Sequence, residues 1–565
     1  MLSIKKIGSF GRTYRNVVRY QQILSIIFKY GFGNIVDALK IDQYIEVGLK
    51  FINRERKEKI ERHSGSERIR MCFEELGPTF IKLGQILSSR PDLVPVYLLE
   101  ELSKLQDHVP PFEYDEVVKT VVAELGKNPE DVFETIEEEP LAAASIAQVH
   151  KATLKGGQDV AVKVQRPGIK KTVQVDLEIM HHLATLMEAH VEELAHHRPV
   201  KIVEEFAKTI EKELDFTIEL SSTERMGRQF EKDRTVHIPR VFTDESSEKI
   251  LTMEYVGGIK VSDIEAIDRA GMNRKIITKR GADFTMKQVF EYGFFHADPH
   301  PGNIFVLPGN VICPVDYGMT GYVNKQMREV FVDLLHGVAS GNTRLAARLL
   351  LEVTDYDEKP DMDDFEREIA GFITKHLSKS LKDIQVGKMV NAFLEICSKN
   401  GVRIPADLFL MIKAFVAVEG IARNLDPKFD MISHAAPYVR EVKIKRYSPS
   451  RMAEEASEIA KDSFRLLKVL PSDIMDIVRL AKQGRMDLNI KITGLEKMLA
   501  TQDQTSNRIA FAIIIAAIIL GSSQLVVSNT PPVVFGVSLI GIVGFITAAV
   551  MGLWLIVAIL RSGKL

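Results

Sequence analysis

The C-terminal part of the chain holds the feature that most restricts its fold, a run of 52 residues without a charged side chain. The run extends from Ile509 to Leu560. A polar turn with two prolines, Ser528–Pro532, divides it. Each half, Ile509–Val527 and Val533–Leu560, can cross about 30 Å of hydrocarbon as a helix. The sequence therefore predicts two transmembrane helices in segment 508–562, in preference to a hairpin buried in a protein core.

Small and charged residues indicate how this hairpin packs and how it is oriented. Small side chains recur at helical spacing, which lets two membrane helices approach closely. They are Gly544, Ala548 and Gly552 in the second helix, and Ala517 and Gly521 in the first. Arg508, Arg561 and Lys564 flank the hairpin, whereas its turn carries no charge. Because basic residues favour the cytoplasmic side, we expect both ends of the hairpin in the cytoplasm.

The N-terminal segment is basic, since residues 1–36 contain six Lys or Arg residues and the first acidic residue is Asp37. The basic residues are Lys5, Lys6, Arg12, Arg15, Arg19 and Lys29. Three interpretations stay open: a helix on an anionic bilayer surface, an organelle transit peptide, or a packed helix with a solvated basic side. The transit peptide is the weakest of the three. We therefore expect the bacterial inner (cytoplasmic) membrane, with an organellar inner membrane as the alternative.

The composition of the whole chain excludes several classes of protein. With 74 basic and 76 acidic residues, the formal net charge is −2, so no charge excess points to nucleic acid. The three cysteines, Cys72, Cys313 and Cys397, are far apart, which excludes a disulfide framework or a CxxC zinc site.

Residues that can carry chemistry concentrate between Phe294 and Gly318. Asn303 follows Asp298 by five residues, and Asp316 follows a short β-like run. One carboxylate can orient or deprotonate a hydroxyl, whereas an amide and a second carboxylate suit Mg²⁺ on a nucleotide. The order matches the H-x-D-x4-N and D-x-G motifs of protein kinases. We therefore predict Asp298 as a catalytic residue and Asn303 and Asp316 as metal ligands.

Two segments further upstream complete this kinase-like set. Lys163 has the form of the strand lysine that binds nucleotide phosphates. An alanine-rich segment before it has the spacing of the kinase glycine-rich loop, with alanine in each glycine position. Its candidate nucleotide-binding residues are Ala142, Ala143, Ala144, Ser145, Ala147 and Val149. Because alanine resists positive φ and adds a methyl group, we expect a stiff loop that impairs phosphate transfer to an outside acceptor.

Acidic residues follow on a helix predicted to begin near Pro199. Asp215 and Glu219 are expected to share one face of this helix, with Glu213 projecting elsewhere. One of these acids is expected to pair with Lys163, as the third helix of a kinase requires. The last candidate contacts, where an adenine would meet backbone groups after a strand, are Glu254 and Val256.

The segment Thr79–Leu93 resembles the KxGQ signature of the UbiB family of atypical kinase-like proteins, with Lys82, Gly84 and Gln85 at the signature positions. The alanine-rich loop, an E-x-D motif, the HADPHPGN block and the paired apolar C-terminal segments also match. The resemblance implies an α+β, two-lobed protein-kinase-like fold with a helical N-terminal KxGQ extension, a helical C-terminal region and a C-terminal transmembrane helical hairpin. The expected segments are a basic helical segment (1–60), the KxGQ extension (61–131), the N-lobe (132–260), the C-lobe catalytic core (261–345), the helical region (346–507) and the membrane hairpin (508–562).

The resemblance also implies a function. Family membership implies binding of ATP (or ADP) and Mg²⁺, ATPase activity, and a role in ubiquinone (coenzyme Q) or related polyprenyl quinone biosynthesis. Expected partners are the lipid bilayer, polyprenyl quinone precursors and quinone-biosynthesis enzymes, with the kinase-like domain in the cytoplasm. Two alternatives stay open: a noncatalytic nucleotide-gated scaffold, and a small-molecule or lipid kinase.

Features around the acceptor site argue against protein substrates. Ala297 stands where kinases carry an arginine, and few residues separate Gly318 from a helix predicted near Asn324. We therefore expect no efficient phosphorylation of proteins in trans. The KxGQ helix is expected to occupy the space beside Asp298. The residues that would act there are Lys82 and Gln85, with Lys82 paired to Glu213 or Asp215.

Overall fold

The computed structural model describes most of the chain in two compact units, Met1–Ala453 and Glu454–Leu565. The described residues are 14–33, 63–90, 93–105, 109–191, 198–356, 359–377, 386–446, isolated positions between 448 and 475, 495–528, 531–534 and 537–561.

The first unit opens with six helices, of which the first four pack into its main hydrophobic core. They are α1 (Tyr14–Lys29), α2 (Gly65–Leu76), α3 (Pro78–Leu87), α4 (Val96–Leu102), α5 (Tyr114–Leu125) and α6 (Pro129–Val132). On α1, Tyr20 and Ile23 are fully buried. Arg19 donates to Asp176 at 2.7 Å and to the carbonyl oxygen of Leu76 at 2.8 Å. Of the three interpretations of the basic N-terminus, the packed helix is therefore the one the structure supports for residues 14–29; Lys5, Lys6 and Arg12 lie outside the described residues.

The KxGQ segment forms α3, which follows α2 after a sharp turn. Ser64 and Glu67 form a capping box at the start of α2. Gly77, with φ of +97°, ends α2, and Pro78 starts α3. Gly84 of the signature lies so close to Leu105 that an added Cβ would come within 2.2 Å of its Cδ1. The glycine therefore lets α3 pack tightly against the chain that follows α4.

An antiparallel sheet forms the first lobe. Its strands are β1 (Phe133–Ile136), β2 (Ala142–Ala143), β3 (Ala147–Leu154), β4 (Asp159–Gln165) and β5 (Ile250–Glu254). They lie in the order β1-β3-β4-β5, with β2 paired to β3. Alternate residues of β4, such as Val160 and Val162, are buried on one face, where Val117 and Val121 of α5 cover them. Helix α5 thus packs on the sheet, although the sequence grouped it with the extension.

Three helices lie between β4 and β5. They are α7 (Ile169–His190), α8 (Pro199–Glu213) and α9 (Phe216–Phe230). The prediction of one helix running through Glu213, Asp215 and Glu219 is wrong, because the chain breaks between α8 and α9. The Asp215 carboxylate accepts from the backbone N–H of Thr217 at 3.0 Å and caps α9. Glu213 and Glu219 therefore belong to two different helices.

In the second lobe, two small β-sheets support two short loops. Its elements are β6 (Ile259–Lys260), α10 (Ile264–Arg269), α11 (Arg274–Met286), β7 (Phe294–His296), β8 (Ile304–Leu307), β9 (Val311–Pro314), β10 (Thr320–Tyr322) and α12 (Lys325–Ala339). Strands β6, β8 and β9 form one sheet, and β7 pairs with β10. Asn324 caps α12 through its side chain, so the helix predicted near this residue is confirmed. The loops β7–β8 and β9–β10 present Asp298 and Asp316.

A helical region completes the first unit. It contains α13 (Thr343–Glu352), β11 (Asp355–Tyr356), α14 (Met362–Leu377), α15 (Val386–Lys399), β12 (Val402–Arg403), α16 (Ala406–Leu425) and α17 (Met431–Arg446). Helix α16 packs against α11 of the second lobe. The apolar positions of α16, including Leu408, Met411 and Ala414, are buried. This packing directs one side of α16 at the loop that carries Asp298.

The second unit contains two long apolar helices. Its elements are α18 (Leu495–Val527), β13 (Val533–Val534), β14 (Val537–Ser538) and α19 (Leu539–Arg561). The spans Arg508–Val527 and Leu539–Ile556 are long and apolar enough to cross a membrane. The predicted start of the second helix at Val533 is wrong, because Val533–Val534 and Val537–Ser538 pair as two short antiparallel strands and the helix begins at Leu539. Branched side chains favour such strands.

The two helices approach through small residues, but only partly those predicted. An added Cβ at Gly544 would lie 2.0 Å from the Oγ of Ser522, and Ala548 is buried. Gly541, which the sequence analysis did not name, lies against Ser522 and Val526. The predicted contacts at Ala517, Gly521 and Gly552 are wrong: Ala517 is exposed, and a Cβ at either glycine would meet nothing within 4 Å. The face of α18 that contacts α19 therefore includes Ser522 and not its neighbour Gly521.

Gly541→Ala is expected to destabilise the helix pair by about 1–3 kcal/mol, the usual cost of overpacking. The new methyl group would lie 2.6 Å from Val526 Cγ2 and 3.0 Å from the carbonyl oxygen of Ser522. Gly552→Ala is the matched control, because space is open there. Denaturation of the full chain in detergent can be followed through the sole tryptophan, Trp554, which lies against Phe511 of the other helix. Equal unfolding midpoints for both variants would contradict this packing.

Candidate functional site

Lys163, Glu219 and Asp316 converge in the cleft between the two lobes. Lys163 lies on β4, and its Nζ is 2.8 Å from Glu219 Oε2 on α9. The same Nζ is 3.9 Å from Asp316 Oδ1, on the loop after β9. The acid paired with Lys163 is therefore Glu219. Residues separated by 153 positions in the sequence thus meet at one ammonium group.

The charges of these three groups are strongly coupled. Burial opposes the charge on Lys163, but the carboxylates of Asp316 and Glu219 outweigh it and raise the pKa of the ammonium group. Lys163 in turn lowers the pKa of Asp316 to about 2. Burial raises the pKa of Glu219 to about 7, with the nearby Asp316 charge adding to the effect. Near neutral pH the cleft therefore holds a charged lysine, a charged Asp316 and a Glu219 that can change its charge.

Asn303 and Asp316 lie beside each other on neighbouring loops. The carbonyl oxygen of Asn303 accepts from the backbone N–H of Val315 at 2.8 Å, which fixes the two loops together. Asp316 has a positive φ of 64°, a strained conformation common at functional sites, and it accepts from Gly318 N at 3.2 Å. One amide and one carboxylate are the ligand types expected for Mg²⁺ that is also held by phosphates. Among the described residues no group of three or more His, Cys, Asp or Glu side chains forms a closed metal cage.

Asp298 is held from behind by His296 and faced by a lysine. The backbone N–H of Asp298 donates to His296 Nδ1 at 3.3 Å. Burial lowers the pKa of His296, which suits a neutral structural residue. Lys413 on α16 brings its Nζ to 3.4 Å from Asp298 Oδ1 and donates to Ser89 Oγ at 3.0 Å. Sequence reasoning missed Lys413; its signal was a single charge inside an otherwise apolar helical stretch.

The KxGQ helix contacts the site through Lys82. Lys82 Nζ lies 2.8 Å from Glu213 Oε2, and both side chains are largely buried. Lys82 also contributes to the lowered pKa of Asp316. Gln85, in contrast, donates to the carbonyl oxygen of Leu105 at 3.4 Å, within the extension itself. Of the predicted partners of Lys82, Glu213 is therefore the one in contact, whereas Asp215 caps α9.

The alanine-rich loop is a closed hairpin between β2 and β3. Ala142 pairs with Val149, Ala143 with Gln148, and the backbone N–H of Ala144 donates to the carbonyl oxygen of Ala147 at 2.8 Å. Ser145 and Ile146 at its tip are buried, and Ile146 belongs to the same hydrophobic core as α3. The loop is thus packed under the extension and does not stand free over the cleft.

Hydrogen bonds within the first lobe engage part of the segment at the end of β5. The Glu254 carboxylate accepts from the backbone N–H of Arg240 at 3.1 Å and lies 3.0 Å from His237 Nε2. The N–H of Tyr255 donates to the carbonyl oxygen of Asp159 at 3.0 Å. The side chain of Glu254 is therefore engaged within the lobe. Of the two residues predicted to contact the adenine, Val256 is the one that remains available. It is half-buried and lies beyond the end of β5.

Three family models match parts of the chain. They are an ABC1 atypical kinase-like domain at residues 104–350, a UbiB helical domain at 369–430 and an ABC1/UbiB kinase-like C-terminal domain at 493–561. The first model begins before α5, in agreement with the packing of that helix on the sheet. The matches support the kinase-like fold.

Relatives that match most of this chain give the same result. An uncharacterized protein in the hydrogenase 1 5' region of Clostridium pasteurianum is 31% identical over 97% of this chain and 100% of its own length. A probable protein kinase UbiB of Aliivibrio salmonicida is 33% identical over 83% of this chain and 88% of its own. The chloroplastic protein ACTIVITY OF BC1 COMPLEX KINASE 7 of Arabidopsis thaliana is 34% identical over 80% of this chain and 66% of its own. With a kinase-like fold, the cleft described above and this similarity along most of its length, the chain belongs to the ABC1/UbiB family of atypical kinase-like proteins.

Proposed function

We propose that this chain is a membrane-anchored ATPase with a kinase-like fold, which binds Mg²⁺ and ATP and supports ubiquinone or related polyprenyl quinone biosynthesis. The observation that carries the proposal is the convergence of Lys163, Glu219 and Asp316 within 3.9 Å of one ammonium group. A lysine held between two carboxylates is the arrangement that kinases use to bind nucleotide phosphates.

Each residue of the cleft has a role in this proposal. Lys163 binds nucleotide phosphates, and Glu219 holds the lysine in place. Asn303 and Asp316 would hold Mg²⁺, which when bound neutralises phosphate charge. Asp298 orients the attacking water and accepts its proton.

Hydrolysis is favoured over transfer to a protein. Only six residues lie between Gly318 and Lys325, the first residue of α12, and three of them belong to β10, so little chain is left to seat a peptide. Ser89 of the extension reaches Lys413 beside Asp298, where an acceptor would bind in a kinase. The tip of the alanine-rich loop is buried, so it is not open to an incoming protein acceptor. These contacts support turnover of ATP with water as the acceptor.

The membrane part of the proposal has two supports. The helices α18 and α19 contain spans of 20 and 18 residues that are apolar enough to cross a bilayer. Relatives over most of the chain bear the name UbiB. We place the chain in a bacterial inner membrane, with the kinase-like unit in the cytoplasm and polyprenyl quinone precursors and their enzymes as partners.

Phosphate release by the full chain in lipid nanodiscs tests this function. We expect release from ATP with Mg²⁺, and loss of it in EDTA, because two protein ligands cannot replace the charge of the ion. A phenolic mimic of the quinone headgroup is expected to change the rate.

Other outcomes of the same experiment would favour the alternatives. Nucleotide binding without phosphate release would indicate a noncatalytic scaffold. Transfer of labelled phosphate to an extracted lipid or small molecule would indicate a lipid or small-molecule kinase. Metal-independent turnover would contradict the proposed site.

A further inference from the structure

Lys413 occupies an unusual place in the fold. It is the single charged residue between Leu408 and Val418, in the apolar middle of α16. Its ammonium group reaches away from the core to Asp298 Oδ1 at 3.4 Å and Ser89 Oγ at 3.0 Å. About 29% of its side chain is exposed, so the charge borders solvent in the cleft. An apolar helix thus delivers one cation to the catalytic loop.

The catalytic loop itself supplies no such cation. Between Asp298 and Asn303 the chain has two prolines, a glycine and His300. His300 Nδ1 accepts from the backbone N–H of Gly302 at 3.1 Å, so it serves the turn. Among the described residues, Lys413 is the cation within 4.0 Å of the Asp298 carboxylate. Phosphoryl transfer needs positive charge near the transferred group, because negative charge is spread over its oxygens.

We propose that Lys413 is a catalytic residue that contacts the γ-phosphoryl group of ATP beside Asp298. This inference rests on the proposed ATP hydrolysis. The water oxygen forms a bond to the γ-phosphorus while the bond from that phosphorus to the bridging oxygen of ADP breaks. The electron pair stays on ADP, and the proton of the water passes by way of Asp298 to solvent. Lys413 stabilises the oxygens of the group in transfer.

The two contacts of Lys413 leave its ammonium group able to bind a phosphoryl oxygen as well. An ammonium group has three N–H donors, and the two observed contacts use two of them. Ser89 is neutral, so its contact does not cancel the charge of the lysine. Ser89 belongs to the segment directly after α3. The position of the extension therefore influences the position of the Lys413 ammonium group.

Lys413→Met in the full chain is the test. We expect kcat for ATP hydrolysis to fall about 100-fold, the usual effect of removing one stabilising donor. The affinity for Mg·ADP, measured with a fluorescent nucleotide, is expected to stay within about twofold, because ADP lacks the γ-phosphoryl group. Lys413→Arg keeps the charge and is expected to recover at least about tenfold of the loss. Lys399→Met, which removes a lysine that is 72% exposed on α15, is the matched control.

The outcomes separate this inference from the function on which it rests. Normal or increased turnover by Lys413→Met, with an active unmodified chain, would overturn the inference alone. Lys413→Met could instead lose ADP affinity as strongly as it loses turnover, or lose thermal stability, and Lys413→Arg could recover neither. Either result would assign Lys413 a structural role and would also overturn the inference. Absence of turnover by the unmodified chain with Mg²⁺ would overturn both.

Discussion

Asp316→Asn is expected to reduce ATP turnover by the full chain about 100-fold or more. The change keeps the shape of the side chain but removes the charge that Lys163 stabilises at 3.9 Å. Substitutions of residues that only hydrogen-bond to a metal ligand already reduce metal affinity or activity about 10- to 100-fold. Loss of a direct ligand is therefore expected to reduce turnover by at least the upper value. Phosphate release measured across a range of Mg²⁺ concentrations checks the result, with a higher Mg²⁺ requirement expected in the variant.

The same substitution has a second, independent signature. Removal of the Asp316 charge also removes one cause of the raised pKa of Glu219. In the unmodified chain, Glu219 gains a proton as the pH falls through about 7, which weakens its pairing with Lys163. The midpoint of this change is expected to move to lower pH in Asp316→Asn. Nucleotide binding measured between pH 5 and 8 follows it.

A matched carboxylate-to-amide change controls for the loss of charge. Asp263→Asn alters the cap of α10, where the side chain accepts from the backbone N–H of Ala266 at 2.9 Å. Asn and Asp cap helices about equally well, so stability and turnover are expected to stay unchanged. Turnover that survives Asp316→Asn would place hydrolysis at another site or in a contaminant.

The candidate site residues that the sequence identified share one property: each lies in a short motif with a characteristic spacing. Asp298 and Asn303 are five residues apart on one loop, and Lys163 stands within a strand pattern. Lys413 could not be found in this way, because α16 brings it to Asp298 from 115 residues further along the chain. Its position depends on the packing of α16 against α11, which no local pattern records.

The wrong boundaries have a common physical origin. The helical period continues through residues 199–230, but Asp215 bonds to the backbone of Thr217 and ends the run. The charge-free C-terminal run predicts apolar helices correctly, yet hydrophobicity alone does not separate a strand from a helix at Val533–Val534 and Val537–Ser538. The close contact at Gly541 depends on the angle between two helices. Composition therefore predicts which segments pack, whereas local hydrogen bonds, as at Asp215, and the geometry of helix packing, as at Gly541, decide the boundaries and contacts.

Lys82→Met is expected to destabilise the first unit by about 3–5 kcal/mol. The substitution leaves the Glu213 carboxylate, with 9% of its side chain exposed, without the partner that lies 2.8 Å away. A buried charge that loses its partner keeps its full desolvation cost. Urea denaturation of the full chain in detergent, followed by circular dichroism, measures the loss. Because this pair joins α3 to α8, faster proteolysis of the extension is expected as well.

The double variant Lys82→Met/Glu213→Leu separates this cause from a general loss of packing. Replacing both members of a buried ion pair with apolar residues is often neutral, so most of the stability is expected to return. Lys104→Met is the control for removing a lysine from the extension, since 60% of that side chain is exposed and exposed ion pairs contribute little. If the double variant were as unstable as Lys82→Met, the buried charge would not be the cause. The docking of the KxGQ helix would then depend on its apolar face.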